Sequence, residues 1–182
     1  MTNGKARINR LKTGVQGFDE VLGGGLPEFS FNLIAGPPGC GKTTLAHQIM
    51  FSLASPSRPA LFFTALGEPP LKVLRYQQQF DFFDLEKLNG AIRFVNLADD
   101  TGNLDKVLAR IIAEVEAHQP SLVFIDSIRS VVLTSQGEGH TMIDVQKFIQ
   151  NLCVQMTSWQ ATTFLIGEYS PDAEPNPIFT VA

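Results

Sequence analysis

The sequence predicts an α/β fold, a mostly parallel sheet with helices on both faces, and three observations carry that prediction. Short, nearly continuous apolar runs at 29–35, 60–66, 122–125 and 162–166 have the length and β-prone composition of strands buried on both sides. Between them lie apolar stripes at helical spacing: Leu45, Ile49 and Leu53; Leu104, Val107, Leu108, Ile111, Ile112 and Val115; then Val145, Phe148, Ile149, Leu152, Met156 and Trp159. The third observation is a glycine-rich turn, Gly-Pro-Pro-Gly-Cys-Gly-Lys-Thr at 36–43, between the first run and the first stripe. Strands alternating with amphipathic helices argue for parallel pairing, with ligands at the carboxyl ends of the strands.

Each element follows from its punctuation. The helix after the turn stops before the Ser-Pro-Ser-Arg-Pro breaker at 55–59, and the 60–66 strand stops at Gly67-Glu68-Pro69-Pro70. Those prolines open a helix expected to run to about Gln79. Ile92 to Asn96 reads as a short strand, and the 122–125 run is closed by Asp126. The last strand ends at Gly167-Glu168, and the segment 171–177, with its prolines, reads as irregular. Gly36, Glu68, Asp126 and Glu168 thus all follow strands on one edge.

Length and a 44% hydrophobic content are enough for one sizeable core. We expect a flexible basic arm at 1–12 and a single domain at 13–182. The arm carries Lys5, Arg7, Arg10 and Lys12 ahead of any acidic residue, and is either a solvated segment or a contact for phosphate or an acidic neighbour. A formal net charge of −4 gives no overall footprint for nucleic acid. Cys40 and Cys153 are too few for a disulfide framework or a metal cluster, which fits a reducing cytoplasm. No apolar window has the length of a membrane span, and no apolar signal region follows the first basic residues. A cytoplasmic protein without membrane attachment is expected.

The turn at 36–43 matches GxxxxGK(S/T) in full, with the strand before it and the helix after it that the motif requires. Glycines let consecutive backbone N–H groups curl around a polyphosphate, and the helix N-terminus adds its positive end. Candidate nucleotide-binding residues are Gly36, Pro37, Pro38, Gly39, Cys40, Gly41, Lys42, Thr43 and Thr44. Lys42 is placed to reach the β and γ phosphates, and Thr43 to ligate Mg²⁺. Asp126, after an apolar strand downstream of such a loop, is the second metal candidate, the alternative being a turn-capping aspartate. The cofactors expected are ATP and Mg²⁺.

The stretch Thr13-Gly14-Val15-Gln16-Gly17-Phe18-Asp19-Glu20-Val21-Leu22-Gly23-Gly24-Gly25-Leu26-Pro27, followed by the phosphate loop, resembles the opening of the KaiC family of RecA-like ATPases. Phe124-Ile125-Asp126-Ser127 is similar to its Walker B strand, and 162–168 to its sensor strand. The resemblance implies slow ATP hydrolysis in a homo-oligomeric ring, commonly a hexamer, with a signalling role and a regulatory protein partner. It also implies a water-activating base from two adjacent glutamates. Here that pair reads Gly67-Glu68, so Glu68 is the catalytic candidate, with Lys42 and the sensor-strand Glu168 beside it. The resemblance further implies neighbouring Ser and Thr phosphate acceptors beyond the sensor strand in a kinase module; the nearest alignment here is Phe179-Thr180, leaving only Thr180, so protein kinase activity is less expected than ATPase activity. Family members continue with further strands and basic residues that act on a neighbour's nucleotide; the chain is read as lacking that C-terminal part of the module.

Other candidates have ordinary readings. His47 is expected to be packed or hydrogen-bonded on the helix after the loop, His118 to favour the dipole at a helix end, and His140 to sit in a surface loop. Arg129 is a phosphate contact or an exposed side chain. Two alternatives to the enzyme remain: a nucleotide-gated scaffold with little hydrolysis, suggested by Gly67, and a DNA-handling RecA-type ATPase, suggested only by the basic arm.

Overall fold

A computed structural model describes residues 8–65, 75–127, 130–131 and 141–168. Strand β1 (Arg10–Leu11), helix α1 (Phe18–Val21) and strand β2 (Leu26–Pro27) form a small antiparallel entry unit. Thr13 closes it: its backbone N–H and hydroxyl both donate to Asp19 Oδ1, each at 2.8 Å. These bonds hold the Asp19 carboxyl below its usual range. Gly14 crosses the end of the helix Lys42–Leu53 so closely, at φ +71°, that a Cβ there would collide with the Ser52 hydroxyl.

The main sheet has the order β3–β7–β6–β4–β5, with every pairing parallel. Its strands are β3 (Phe31–Gly36), β4 (Ala60–Thr64), β5 (Ile92–Asn96), β6 (Leu122–Asp126) and β7 (Thr162–Glu168). Strands β4 and β6 are buried along their whole length, as continuous apolar runs require in a sheet covered on both faces.

Alternation along these strands divides the core. On one face Leu61, Phe63, Val95, Val123, Ile125 and Leu165 pack under α4 (Leu104–His118) and α5 (Met142–Ser158). On the other, α2 (Lys42–Leu53) covers a ladder of aromatic rings in register across four strands, Phe94, Phe62, Phe124 and Phe164. Ring centroids along it are 5.2, 5.9 and 4.4 Å apart, and the last two pairs are stacked. Such pairs add about 0.5–1.5 kcal/mol each beyond the area they bury.

Several boundaries differ from the sequence expectation for local reasons. The first core strand starts at Phe31 rather than at 29, because Phe29 is left-handed (φ 63°) and the Ser30 hydroxyl turns back to the Pro27 carbonyl at 2.6 Å. A short helix α3 (Leu85–Gly90), started by the Asp84 carboxylate on the N–H groups of Glu86 and Lys87, lies in a stretch to which the periodicity assigned nothing. The helix expected to reach Gln79 is described over 75–77 and passes into a turn. Helix α5 opens on a capping box in which Thr141 and Asp144 satisfy each other's backbone.

Candidate functional site

Parallel pairing brings the carboxyl ends of the strands to one edge and fixes their neighbours. Gly36 is in register with Glu168, Asp126 with Ile166 and with Thr64, and Thr64 with Asn96. The loop between β3 and α2 rises from the Gly36 end of this row.

Gly41 is the N-cap of α2 in a left-handed conformation (φ 90°), with no side chain capping the helix. Its first-turn N–H groups are therefore left to the loop's concave side, where the helix carries partial positive charge. A side chain at Gly41 would meet no atom within 4 Å, so backbone conformation rather than space makes glycine the fitting residue. Lys42 lies back over the loop, its Nζ donating to the Pro37 carbonyl at 2.8 Å and 3.8 Å from Cys40 Sγ.

One turn into the site, the Thr43 hydroxyl donates to Asp126 Oδ2 at 2.6 Å. Asp126 is only 4% exposed, and burial pushes its carboxyl above the usual range, opposed by the Thr43 hydrogen bond and the Lys42 charge. A hydroxyl and a buried carboxylate oxygen side by side are hard oxygen donors of the kind Mg²⁺ prefers. Among the described residues there is no group of three or more His, Cys, Asp or Glu that could hold a metal ion. The residues present fit Mg²⁺ with a polyphosphate.

The structure thus brings together the loop 36–44, Thr43, Asp126 and Glu168. Gly67, Glu68, Arg129, His140 and Thr180 lie outside the described residues. His47 is packed: it is fully buried against Phe62 and Phe94, with ring centroids at 4.5 and 5.9 Å, and among the described residues neither ring nitrogen has a hydrogen-bond partner. His118 closes α4, its Nδ1 2.9 Å from the Glu114 carbonyl and 3.5 Å from that residue's carboxylate. Thr64 is the lone polar residue in an apolar run and no motif gives it a site role; the register sets it beside Asp126.

Comparison with known proteins matches this architecture. The KaiC ATPase family model covers residues 11–182. The chain belongs to the KaiC ATPase family. A UPF0273 protein of Thermotoga maritima is 30% identical over 75% of the chain and 62% of the relative. A circadian clock oscillator protein KaiC of Prochlorococcus marinus is 28% identical over 93% of the chain and 35% of its own length. A crystal structure of a KaiC-like protein from Pyrococcus horikoshii superposes with a TM-score of 0.79 at 29% identity, covering 97% of this chain and 78% of that one. The chain spans under two thirds of the Thermotoga relative and about a third of the clock protein. Membership of the KaiC family makes this a RecA-like P-loop domain of the ATP-binding ATPase class. Among the described residues no helix is long and apolar enough to cross a membrane.

Proposed function

We propose that the chain binds Mg·ATP at residues 36–44 and hydrolyses it slowly as part of a homo-oligomeric ring, its nucleotide state read by a regulatory protein partner in the cytoplasm. The observation that carries this reading is the 2.6 Å pairing of the Thr43 hydroxyl with the buried Asp126 carboxylate, directly behind the phosphate loop. The loop's N–H groups and the α2 dipole hold the phosphates, and the Lys42 ammonium leaves the Pro37 carbonyl to meet the β and γ oxygens. Thr43 and Asp126 would hold the metal, which when bound would neutralise charge on the transferring phosphoryl group. Water attacks the γ phosphorus, the bond to the β-phosphate oxygen breaks, and a carboxylate takes the water's proton. Glu68 is the first choice for that carboxylate. Glu168, beside Gly36 in the sheet, is the second.

Gly67 favours a second reading, a nucleotide-gated scaffold that turns over little ATP. Single-turnover hydrolysis at saturating ATP decides between them. On the enzyme reading, Glu68→Gln collapses the rate while ATP still binds. On the scaffold reading, Gly67→Glu raises a near-zero rate by up to about 10² to 10⁴-fold. Lys42→Ala abolishes nucleotide binding or turnover on either; equal affinity and activity in that variant would refute the site.

A further inference from the structure

At the far end of α2 from the phosphate loop is an open groove of about 750 Å³, floored by Phe51, Phe82 and Phe83 and bordered by Gly14, Ser52 and Leu85. Phe51 holds its floor in place, 6.0 Å from Phe82 and 5.3 Å from Phe83 between ring centroids. Beside it Tyr76, Phe80 and Leu85 are exposed, and Phe80 stacks on Phe82 at 5.1 Å, while Phe51 itself is buried beneath. Three large exposed apolar side chains within one short segment, contiguous with an aromatic floor, mark a contact surface rather than scattered exposure.

The rim fixes the charge of what fits. Asp81, Asp84 and Glu86 line the groove, and the cation that lines it, Lys87, is turned onto the carbonyls of Phe51 and Ser52 at 2.7 and 3.5 Å. Among the described residues Asp81 and Glu86 have no ion-pair partner. An occupant therefore needs an apolar side chain flanked by cations. The chain carries that pattern in Lys5-Ala6-Arg7-Ile8, where the Ile8 side chain is 68% exposed. In its own subunit Ile8 is no part of the groove, and the residues after it are held against the entry unit, where Asn9 donates to Glu28 at 3.1 Å and Arg10 to the Leu22 and Gly25 carbonyls.

We propose that the Phe51–Phe82–Phe83 groove docks the Lys5–Ile8 segment of a second copy of the chain, with Ile8 on the aromatic floor and Arg7 and Lys5 on the acidic rim. Ile8 does not line the groove of its own subunit, so the interface is head-to-tail and repeats around an oligomer. The contact deepens the ring reading above and rests on it for the number of subunits, while nucleotide chemistry at the other end of α2 is measured separately.

The test mixes full chains carrying Ile8→Cys with full chains carrying Leu85→Cys, both in a Cys40→Ser background, under mild oxidation. Cys153, half-buried and with its thiol pushed up to about 11 by burial, is a poor competitor. A disulfide-linked dimer forms in the mixture and is lost when the Leu85→Cys chain also carries Asp81→Lys and Glu86→Lys. Native mass spectrometry of otherwise unaltered chains shows at least tenfold weaker association for Ile8→Asp and for Asp81→Lys with Glu86→Lys. Adding Lys5→Glu and Arg7→Glu to the groove variant restores it. Ile8, Asp81 and Glu86 are surface-exposed, so unchanged melting curves accompany the loss, and ATP binding persists in the dissociated variants. No cross-link in the mixture, the same yield of linked dimer from either variant alone, or an oligomer indifferent to Ile8→Asp would overturn the proposal.

Discussion

Asp126 shows most plainly what the site costs. Its folded carboxyl is raised by burial, so the folded chain holds its ionised form less readily than water does, and the group works against stability once pH passes its unfolded value. Asp126→Asn keeps the acceptor for the Thr43 hydroxyl and removes the charge. The expected outcome is a melting temperature higher by a few degrees at pH 7 without Mg²⁺, about 1 kcal/mol in a chain of this size. Mg²⁺ dependence of nucleotide binding falls at the same time. Melting curves and Mg²⁺ titrations of the two proteins check both halves; a variant no more stable than the parent would mean that Thr43 and Lys42 already offset the burial. Asp126 and Lys42 were legible in the sequence because a motif names them. The bond that joins Thr43 to Asp126 was not, since it depends on parallel pairing of strands distant in the chain.

At the scale of elements, α2 carries a penalty of a different kind. His47 fills the layer between the helix and the aromatic ladder with two unpartnered ring nitrogens, and desolvation lowers its pKa from 6.5 to about 4. The unfolded chain therefore takes up this proton first. Stability is complete above about pH 6.5 and is lost progressively down to about pH 4, by about 3 kcal/mol at most. His47→Leu, of similar volume, should flatten that acid limb and add about 1–2 kcal/mol at pH 7 by removing unsatisfied polar atoms. Denaturant melts at pH 4.5 and 7 measure both effects, and an unchanged acid limb would place the pH sensitivity in another group. Helix α4 ends on Gln119 in a left-handed conformation (φ 44°). Gln119→Gly should stabilise by about 0.5–1 kcal/mol in the same melts, since glycine adopts that cap without Cβ strain. The long apolar strands and striped helices could be read from periodicity. Helix α3 and the β1–β2 pair could not, because they are too short to show a period and are set by single contacts such as the Asp84 cap and the Arg10 guanidinium on two carbonyls.

For the whole molecule, alternation of strand and helix was enough to predict the α/β class and which strand ends share an edge. The order of strands was beyond it. Apolar runs of similar composition fit any slot in a sheet buried on both faces, and what distinguishes the slots is packing against helices from elsewhere in the chain. The register that sets Glu168 beside Gly36 is a product of that order.

The position of β7 has a consequence for synthesis. Among the described residues β3 pairs with β7 alone, Phe31 meeting Thr163 more than 130 residues later in the chain. A ribosome adding about 5–20 residues per second makes the phosphate loop several seconds before the strand that locks its base into the sheet. Throughout that interval the nascent chain has the motif and not the pocket, since a strand without a neighbour cannot hold the loop's backbone in place. Chains arrested at residue 158 should retain no labelled ATP, whereas chains released past residue 168 should retain it. Completion of the last strand thereby acts as a checkpoint on the first, and a nascent chain interrupted before β7 carries no working nucleotide site into the cell.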